Sequence, residues 1–327
     1  MKITSFAIVF VLIFYPLFQI AFMHLEDQDR AQRLTDRYNM MMKTAIQDAA
    51  YVLNETVDQD FEPGYGSRKF FRANKERAVE TFYRTLALNF NIDGDSVALG
   101  ALAGYVPAIA VIDYDGYSIY ATESFVDADG QAQMGEVWSP KKPYTYSDAQ
   151  NNTVQFSLDG FVKCFDRVSG RWVQGPRSEL ADTLQIPLLR DAELFESVRR
   201  QTIINGIQSD LAYTINRHNR YAARYGIDYV FTLPQISGEE WDNGIDDIGF
   251  AAFLQGIPVG DQQYNNYSFA GGRLTKKKMV YASADPKTGI KYYSRNPAEL
   301  PAKIEERFES EKEAARSGYF PVRSDRP

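Results

Sequence analysis

The sequence has few of the residues that bind metal ions, form disulfide bonds or act as catalytic bases. Among its 327 residues there is one cysteine, Cys164, and there are two histidines, His24 and His218. A single cysteine excludes an intramolecular disulfide and every zinc or iron–sulfur site that needs several thiolates. Two histidines make a histidine-rich metal centre or a Ser-His-Asp triad hard to assemble. We therefore expect a protein that has no cofactor and is not an enzyme.

The sequence also lacks an excess of basic residues. It carries 36 Lys and Arg against 43 Asp and Glu, which gives a formal net charge of -7. Such a chain has no general basic surface with which to neutralise nucleic-acid phosphates, so no nucleic-acid partner is predicted. It is not a disordered chain either, because 44% hydrophobic and 14% aromatic residues are enough to build a core.

The N-terminal region contains a long apolar run without any charge, residues 5–23, which follows a short segment, residues 1–4. About 20 helical residues, at a rise of about 1.5 Å each, span a hydrocarbon layer about 30 Å thick. The run predicts a single transmembrane helix in contact with the lipid bilayer. A cleaved signal peptide and a buried core helix are the alternatives. Gln19 and Phe22 argue against cleavage, because they occupy positions where a cleavage site needs small residues.

The residues on either side of the run predict its orientation. Lys2 and the free amino group precede it, whereas the segment after it, residues 24–29, contains Glu26, Asp27 and Asp29. The positive-inside rule then favours a cytoplasmic N-terminus. The predicted location is the cell membrane, with one crossing and with everything after Met23 extracytoplasmic.

The next segment, residues 24–60, contains neither proline nor glycine and predicts a long amphipathic stalk helix that continues the transmembrane helix. Its apolar residues recur at steps of three and four and form what we call the stalk stripe: Leu34, Tyr38, Met41, Ala45, Ala49 and Val52. The stripe has two possible roles. It can pack on the protein's own outer domain, or it can pack on partner subunits of an assembly.

Residues 61–290 predict an extracytoplasmic α+β domain built from helices and a mainly antiparallel sheet. Asp115-Gly116 lies between two apolar runs and indicates a β-hairpin. An apolar period over residues 192–225, followed by Gly226, predicts a long helix. Residues 228–233 and 273–281 are predicted strands. The second of these bears three consecutive basic residues that could contact an acidic partner: Lys276, Lys277 and Lys278.

Three further features have a structural and a functional interpretation. Cys164 is expected to be a buried structural thiol, and His218 a polar surface residue. An acidic cluster is expected to be a solvated loop, although two converging carboxylates could serve an envelope hydrolase. Its members are Glu239, Glu240, Asp242, Asp246 and Asp247.

The C-terminal segment, residues 291–327, resembles the small cysteine-rich zinc module of Ada DNA-repair proteins. The residues that match its pattern are Phe308, Ser310, Glu313, Ala314, Gly318, Tyr319 and Pro321. The positions of the module's zinc ligands hold Ser294, Pro297, Val322 and Asp325 instead. The resemblance therefore implies the shape of the module without its metal, since thiolate ligands are absent.

The stalk carries a second resemblance, through the pattern Arg37, Tyr38, Asn39, Ala45, Asp48, Ala49 and Ala50. The pattern and the architecture resemble pilin-like envelope proteins associated with tight-adherence (Tad) pili of Gram-positive bacteria. The chain has no Gly-Phe prepilin processing site and no Glu early in the apolar run. The resemblance therefore implies an accessory, membrane-retained structural or assembly component of a pilus-like or secretion apparatus, with protein partners bound through the stalk.

A competing interpretation is a ligand-binding or sensory outer domain. Residues 110–121, which follow a predicted helix, loosely resemble the sheet of extracellular PAS-like sensors. That resemblance implies a pocket on the sheet, and it also implies a separate signalling partner, because this chain has no cytoplasmic signalling module.

Overall fold

The computed structural model describes residues 3–53, 73–127, 129–272, 280–294, 299–308 and 311–322. It is a mixed helical and antiparallel-sheet protein that divides into two units, Met1–Leu274 and Thr275–Pro327. The predicted boundary after residue 290 lies later than this division. The reason is that the strand Val280–Ala284 pairs with strands further along the chain rather than with the large sheet. Lys276, Lys277 and Lys278 lie outside the described residues.

Helix α1, Ile3–Val52, is one unbroken helix of 50 residues that contains Pro16. The predicted transmembrane and stalk segments are therefore two parts of a single element. Every described side chain from Ile8 to Arg30 is exposed, whereas the residues after Met40 alternate between buried and exposed. Among the described helices, α1 alone is long and apolar enough to cross a membrane, judged by length and composition. Residues 54–60 of the predicted stalk lie outside the described residues.

The large unit is built on a nine-stranded antiparallel sheet. Its strands are β1 (Ile109–Asp113), β2 (Gly116–Val126), β3 (Ala132–Trp138), β4 (Lys142–Ser147), β5 (Thr153–Phe156), β6 (Phe161–Asp166), β7 (Arg171–Pro176), β8 (Gly249–Val259) and β9 (Gln262–Gly271). Their order is β7-β6-β5-β4-β2-β1-β8-β9, and β3 pairs with the C-terminal part of β2. The predicted hairpin is confirmed, with Asp113 opposite Gly116. β1 and most of β8 are buried on both faces, which explains their nearly continuous apolar sequence.

Helices cover both faces of the centre of this sheet. After α1, the helices described in the large unit are α2 (Lys75–Phe90), α3 (Ser96–Gly104), α4 (Arg177–Thr183), α5 (Pro187–Arg190), α6 (Ala192–Ala222), a 3-10 turn (Ala223–Tyr225) and α7 (Gly238–Gly244). On one face α1 and α2 pack together, and the ring of Phe82 lies 5.5 Å from that of Phe250. On the other face the Tyr117 hydroxyl lies 2.9 Å from the Gly206 carbonyl of α6. The sheet is thus the middle layer of three.

The predicted long helix over residues 192–225 is confirmed by α6 and its 3-10 extension, and Gly226 ends it with a φ of 75°. The strand predicted over residues 228–233 is wrong, because this segment has no strand pairing. The side chain of Asn219 takes the place of a neighbouring strand, since it accepts from the Phe231 amide (2.7 Å) and donates to the Phe231 carbonyl (2.9 Å). The backbone of an apolar, β-prone segment can thus form its hydrogen bonds with a side-chain amide instead of with a neighbouring strand.

The C-terminal unit has its own small sheet and core. Its elements are β10 (Val280–Ala284), β11 (Lys291–Ser294), β12 (Glu306–Phe308), α8 (Glu311–Arg316) and β13 (Phe320–Pro321), with strand order β12-β10-β11-β13. Three residues of the Ada-like pattern, Phe308, Ala314 and Tyr319, are buried together in this core. Gly318 has a φ of +85° between α8 and β13, a conformation that favours glycine. Pro297 and Asp325 lie outside the described residues.

Candidate functional site

The stalk stripe lies against the protein's own large unit. Met41, Ala45 and Ala49 are buried, and the other three stripe residues are partly buried, where α1 contacts α2, β8 and β9. A second set of buried positions, each one residue further on and 0–3% exposed, was missed: Met42, Ile46, Ala50 and Leu53. They have their own spacing of three and four, and they are buried because two elements, α2 and the sheet, contact α1 side by side. Partner binding by α1 stays a prediction, for which Met40 and Tyr51 are large exposed side chains on the opposite side of the helix, 65% and 76% exposed.

The residues of the pilin-like pattern fix how α1 is rotated on the sheet. The Asn39 side-chain oxygen accepts hydrogen bonds from the Tyr264 hydroxyl (2.9 Å) and the Asn266 amide (2.7 Å). The ring of Tyr38 meets Tyr264 edge to face, with centroids 5.4 Å apart. Burial raises the pKa of Tyr264 to about 12, so the hydroxyl keeps its proton and remains a donor. This part of the stalk is therefore an integral part of the large unit's fold.

A cleft with a volume of about 350 Å³ lies between α6 and the strands β2 and β3. Because side chains alternate across a strand, Ile119, Ala121 and Glu123 of β2 face α6 together. Val137 of β3 stands opposite Ala121 and completes the apolar floor. Helix α6 forms the opposite wall with four polar residues: Asp210, Tyr213, Thr214 and Arg217. The sequence predicted the strands and the helix, but nothing in its pattern indicated that the two would stand apart here.

At one end of the cleft the carboxylate of Asp210 is fully satisfied. The Lys142 ammonium lies 2.8 Å and 2.6 Å from its two oxygens, and the Tyr117 hydroxyl donates to it at 2.7 Å. Burial of Tyr117 and its hydrogen bond to Asp210 raise the pKa of the hydroxyl, which keeps it a donor. The charges of Asp210 and Lys142 therefore balance each other at this end of the cleft.

The other end has a different balance of charge. Arg217 forms an ion pair with Glu123, and the ring of Tyr213 lies 5.5 Å from the Arg217 guanidinium carbon. The Nε of Arg217 is buried and has no hydrogen-bond acceptor among the described residues. Asp210 and Arg217 are seven residues apart on one helix, which separates the two ends by about 10 Å.

Cys164 matches its prediction. It is buried on β6, and burial raises the pKa of its thiol to about 12. A thiol with so high a pKa has almost no thiolate at neutral pH and is a poor nucleophile. Cys164 is therefore a packing residue.

The prediction for His218 is wrong, because the side chain is only 2% exposed. Its Nε2 lies 2.9 Å from the Gly104 carbonyl at the end of α3, and its ring meets Phe231 edge to face at 4.7 Å. A carbonyl can only accept, so Nε2 carries the proton and donates. The contacts come from α3 and from the segment after α6, and the local sequence of α6 contains no sign of either.

The acidic cluster is tied into the fold through separate contacts. Glu240 accepts from the Ser237 amide as part of a capping box on α7 and from the Tyr267 hydroxyl at 2.6 Å. Asp246 instead pairs with Arg200 of α6 at 2.5 Å. Within the described residues no group of three or more His, Cys, Asp or Glu side chains is placed to hold a metal ion. The side chain of Asp242 lies outside the described part of the chain.

Comparison with known proteins assigns no family to this arrangement of stalk and cleft. No protein-family model, curated protein or solved structure matches the chain.

Proposed function

We propose that the chain is a single-pass protein of the cell membrane whose N-terminus is cytoplasmic and whose two folded units are extracytoplasmic. We further propose that it is a structural or assembly component of a pilus-like or secretion apparatus. The observation that supports this role is the continuity of α1. One helix carries an entirely exposed apolar half and a half that is buried in the large unit, so no flexible linker separates anchor from domain.

The position of Ala31, the first partly buried side chain among the described residues of α1, supports a fixed placement close to the bilayer. Gly260, in the turn between β8 and β9, lies beside Ala31 of α1. Ala31 is eight residues beyond the end of the apolar run at Met23, a distance of about 12 Å along the helix. A component held this way presents its outer surface at a set height above the membrane, as a scaffold or assembly subunit requires.

Site-specific photocrosslinking in native membranes tests the assembly role. A photoreactive residue at the exposed position Tyr51 or Met40 should form crosslinks to envelope proteins, which mass spectrometry would identify as subunits of an assembly. The matched control is the buried position Met42 on the opposite side of α1, which should form only intramolecular products. If Tyr51 and Met40 also formed no intermolecular product, α1 would not be a partner-binding surface.

A second candidate function, binding of a small ligand by the large unit, is favoured by the cleft beside α6. A volume of about 350 Å³ is near the lower end of the range for ligand pockets, about 300–1,000 Å³. An apolar floor with a few polar groups is also the usual composition of such pockets. In a thermal-shift screen, a true ligand should stabilise the full chain but not a Thr214→Trp variant, in which the cleft wall is filled. A compound that stabilises both chains equally would bind elsewhere.

A further inference from the structure

We infer that the cleft between α6 and the β2–β3 strands binds a small carboxylate with an apolar body, and that the carboxylate contacts Arg217. This inference rests on the ligand-binding function proposed above and names its ligand class. It does not depend on the assembly role.

The first argument is the difference between the two ends of the cleft. Asp210 already accepts from Lys142 and Tyr117, so a ligand ammonium would have to displace good partners there. At the other end the buried Nε of Arg217 has no acceptor among the described residues. The Arg217 guanidinium lines the cleft and pairs there with the carboxylate of Glu123, so a ligand carboxylate would share it with that residue. The geometry therefore favours an acidic ligand group at Arg217 over a basic group at Asp210.

The second argument is the local charge. Two arginines of α6 and its 3-10 extension occur at this end: Arg217, which lines the cleft, and the exposed Arg224, which reaches the Met134 sulfur of β3. Glu123 is the carboxylate that lines the cleft beside them. The end is therefore net positive, and a guanidinium matches the planar geometry of a carboxylate with two parallel hydrogen bonds.

The third argument is the floor. Ile119 and Ala121 are each 4% exposed, and Val137 stands beside them, so the surface between the two charged ends is apolar. An apolar ligand body that lies on this floor would remove apolar surface from water, which is favourable. An inorganic anion would leave the floor empty and would lose this contribution.

Isothermal titration calorimetry on the full chain in lipid nanodiscs tests the inference with 3-phenylpropionate as the probe. The matched control ligand is 3-phenylpropanamide, which has the same body without the charge. We expect the carboxylate to bind at least about tenfold more tightly than the amide. Equal affinity for the two compounds, or no binding of the carboxylate, would overturn the inference.

Two substitutions at the charged end give changes of opposite sign. Arg217→Gln should weaken carboxylate binding by about tenfold or more, because it removes the charged donor. Glu123→Gln should strengthen it, because the competing anion is removed while the donor stays. Arg220→Gln, on the exposed side of the same helix, should change binding by less than about threefold. If Arg217→Gln and Glu123→Gln weakened binding alike, the ion pair would only support the fold.

The crosslinking of α1 provides an independent readout. A chain that fails to bind carboxylates but still crosslinks to envelope partners would refute the ligand class and leave the assembly role standing. A chain that binds the probe but forms no crosslinks would refute the assembly role and leave the ligand class standing.

Discussion

At the scale of single residues, His218 should make folding depend on pH. Burial lowers the pKa of its imidazole in the folded chain, in spite of the hydrogen bond to the Gly104 carbonyl. The unfolded chain, with a histidine pKa of about 6.5, therefore takes up a proton first as the pH falls. The stabilising contribution is complete above about pH 6.5 and decreases as the pH drops toward the lowered value.

We expect the free energy of unfolding to fall as the pH drops below about 6.5, by at most about 1.4 kcal/mol per pH unit from this group. In a His218→Gln variant the fall over the same range should be smaller. Urea unfolding at a series of pH values measures both slopes. Identical slopes in the two chains would show that His218 does not titrate on unfolding.

His218 also shows which residue properties the sequence could predict. The burial of Cys164 follows from its place in an alternating apolar strand, and that prediction was correct. The burial of His218 depends on Gly104 and Phe231, which are distant in sequence, and it was missed. The unpartnered Nε of Arg217 was equally invisible, because it depends on where β2 ends relative to α6. The local pattern of apolar residues predicts which face of an element is buried. It does not predict which polar groups form hydrogen bonds with neighbouring elements.

At the scale of elements, the C-terminal end of α7 depends on the absence of a side chain at Gly244. A Cβ at this position would overlap the ring of Phe269 on β9. Gly244→Ala should therefore destabilise the chain by about 1–3 kcal/mol, because the ring or the helix must move. The matched control is Gly238→Ala at the start of the same helix, where a Cβ would meet nothing within 4 Å. Its effect should be within about 0.5 kcal/mol.

Chemical denaturation of the two glycine variants measures this difference. A Gly244→Ala variant as stable as the control would mean that Phe269 has another low-energy position. The ring contact between Phe269 and Trp241, now 5.8 Å between centroids, would then be the first to change.

The buried half of α1 should contribute to stability as a core helix does. Ile46 is fully buried, whereas Met40 is 65% exposed on the same helix. Ile46→Ala should cost about 2–5 kcal/mol through lost burial and a cavity, and Met40→Ala should change the free energy of unfolding by less than about 0.5 kcal/mol. Equal small effects would mean that α1 is not packed on the large unit in solution.

The elements themselves were largely predictable, and the exceptions have physical reasons. The 3.6-residue period predicted α1 and α6, and the turn residues predicted the β1–β2 hairpin. The strand predicted over residues 228–233 was wrong, because its composition cannot reveal that the Asn219 amide replaces a neighbouring strand. The stalk stripe covers only one of the two buried lines of α1, since a sequence does not state how many elements contact a helix.

At the scale of the whole molecule, anchor and fold should be separable at one point of α1. A chain that lacks residues 2–23 keeps Ala31, Leu34 and every buried residue of the helix. We expect it to remain in the soluble fraction after carbonate extraction and to melt within about 2 °C of the full chain. Deletion of residues 2–42 also removes Tyr38, Asn39 and Met42, and it should abolish cooperative unfolding.

Cell fractionation followed by calorimetry distinguishes these outcomes. A chain without residues 2–23 that still sediments with membranes would show that another part of the protein binds lipid. Cooperative unfolding after deletion of residues 2–42 would show that the stalk is dispensable for the fold.

The continuity of α1 has a mechanical consequence. A rod that is rigid at both ends transmits rotation, so the angle that α1 adopts in a bilayer also sets the angle of the large unit. Helices accommodate a thinner or thicker hydrocarbon layer by tilting, commonly by about 20° and up to about 40°. A tilt of this size at the lower end would swing a point about 40 Å further along the rod by roughly 14 Å or more. If α1 spans a bilayer as proposed, a change in bilayer thickness would thus displace the large unit laterally.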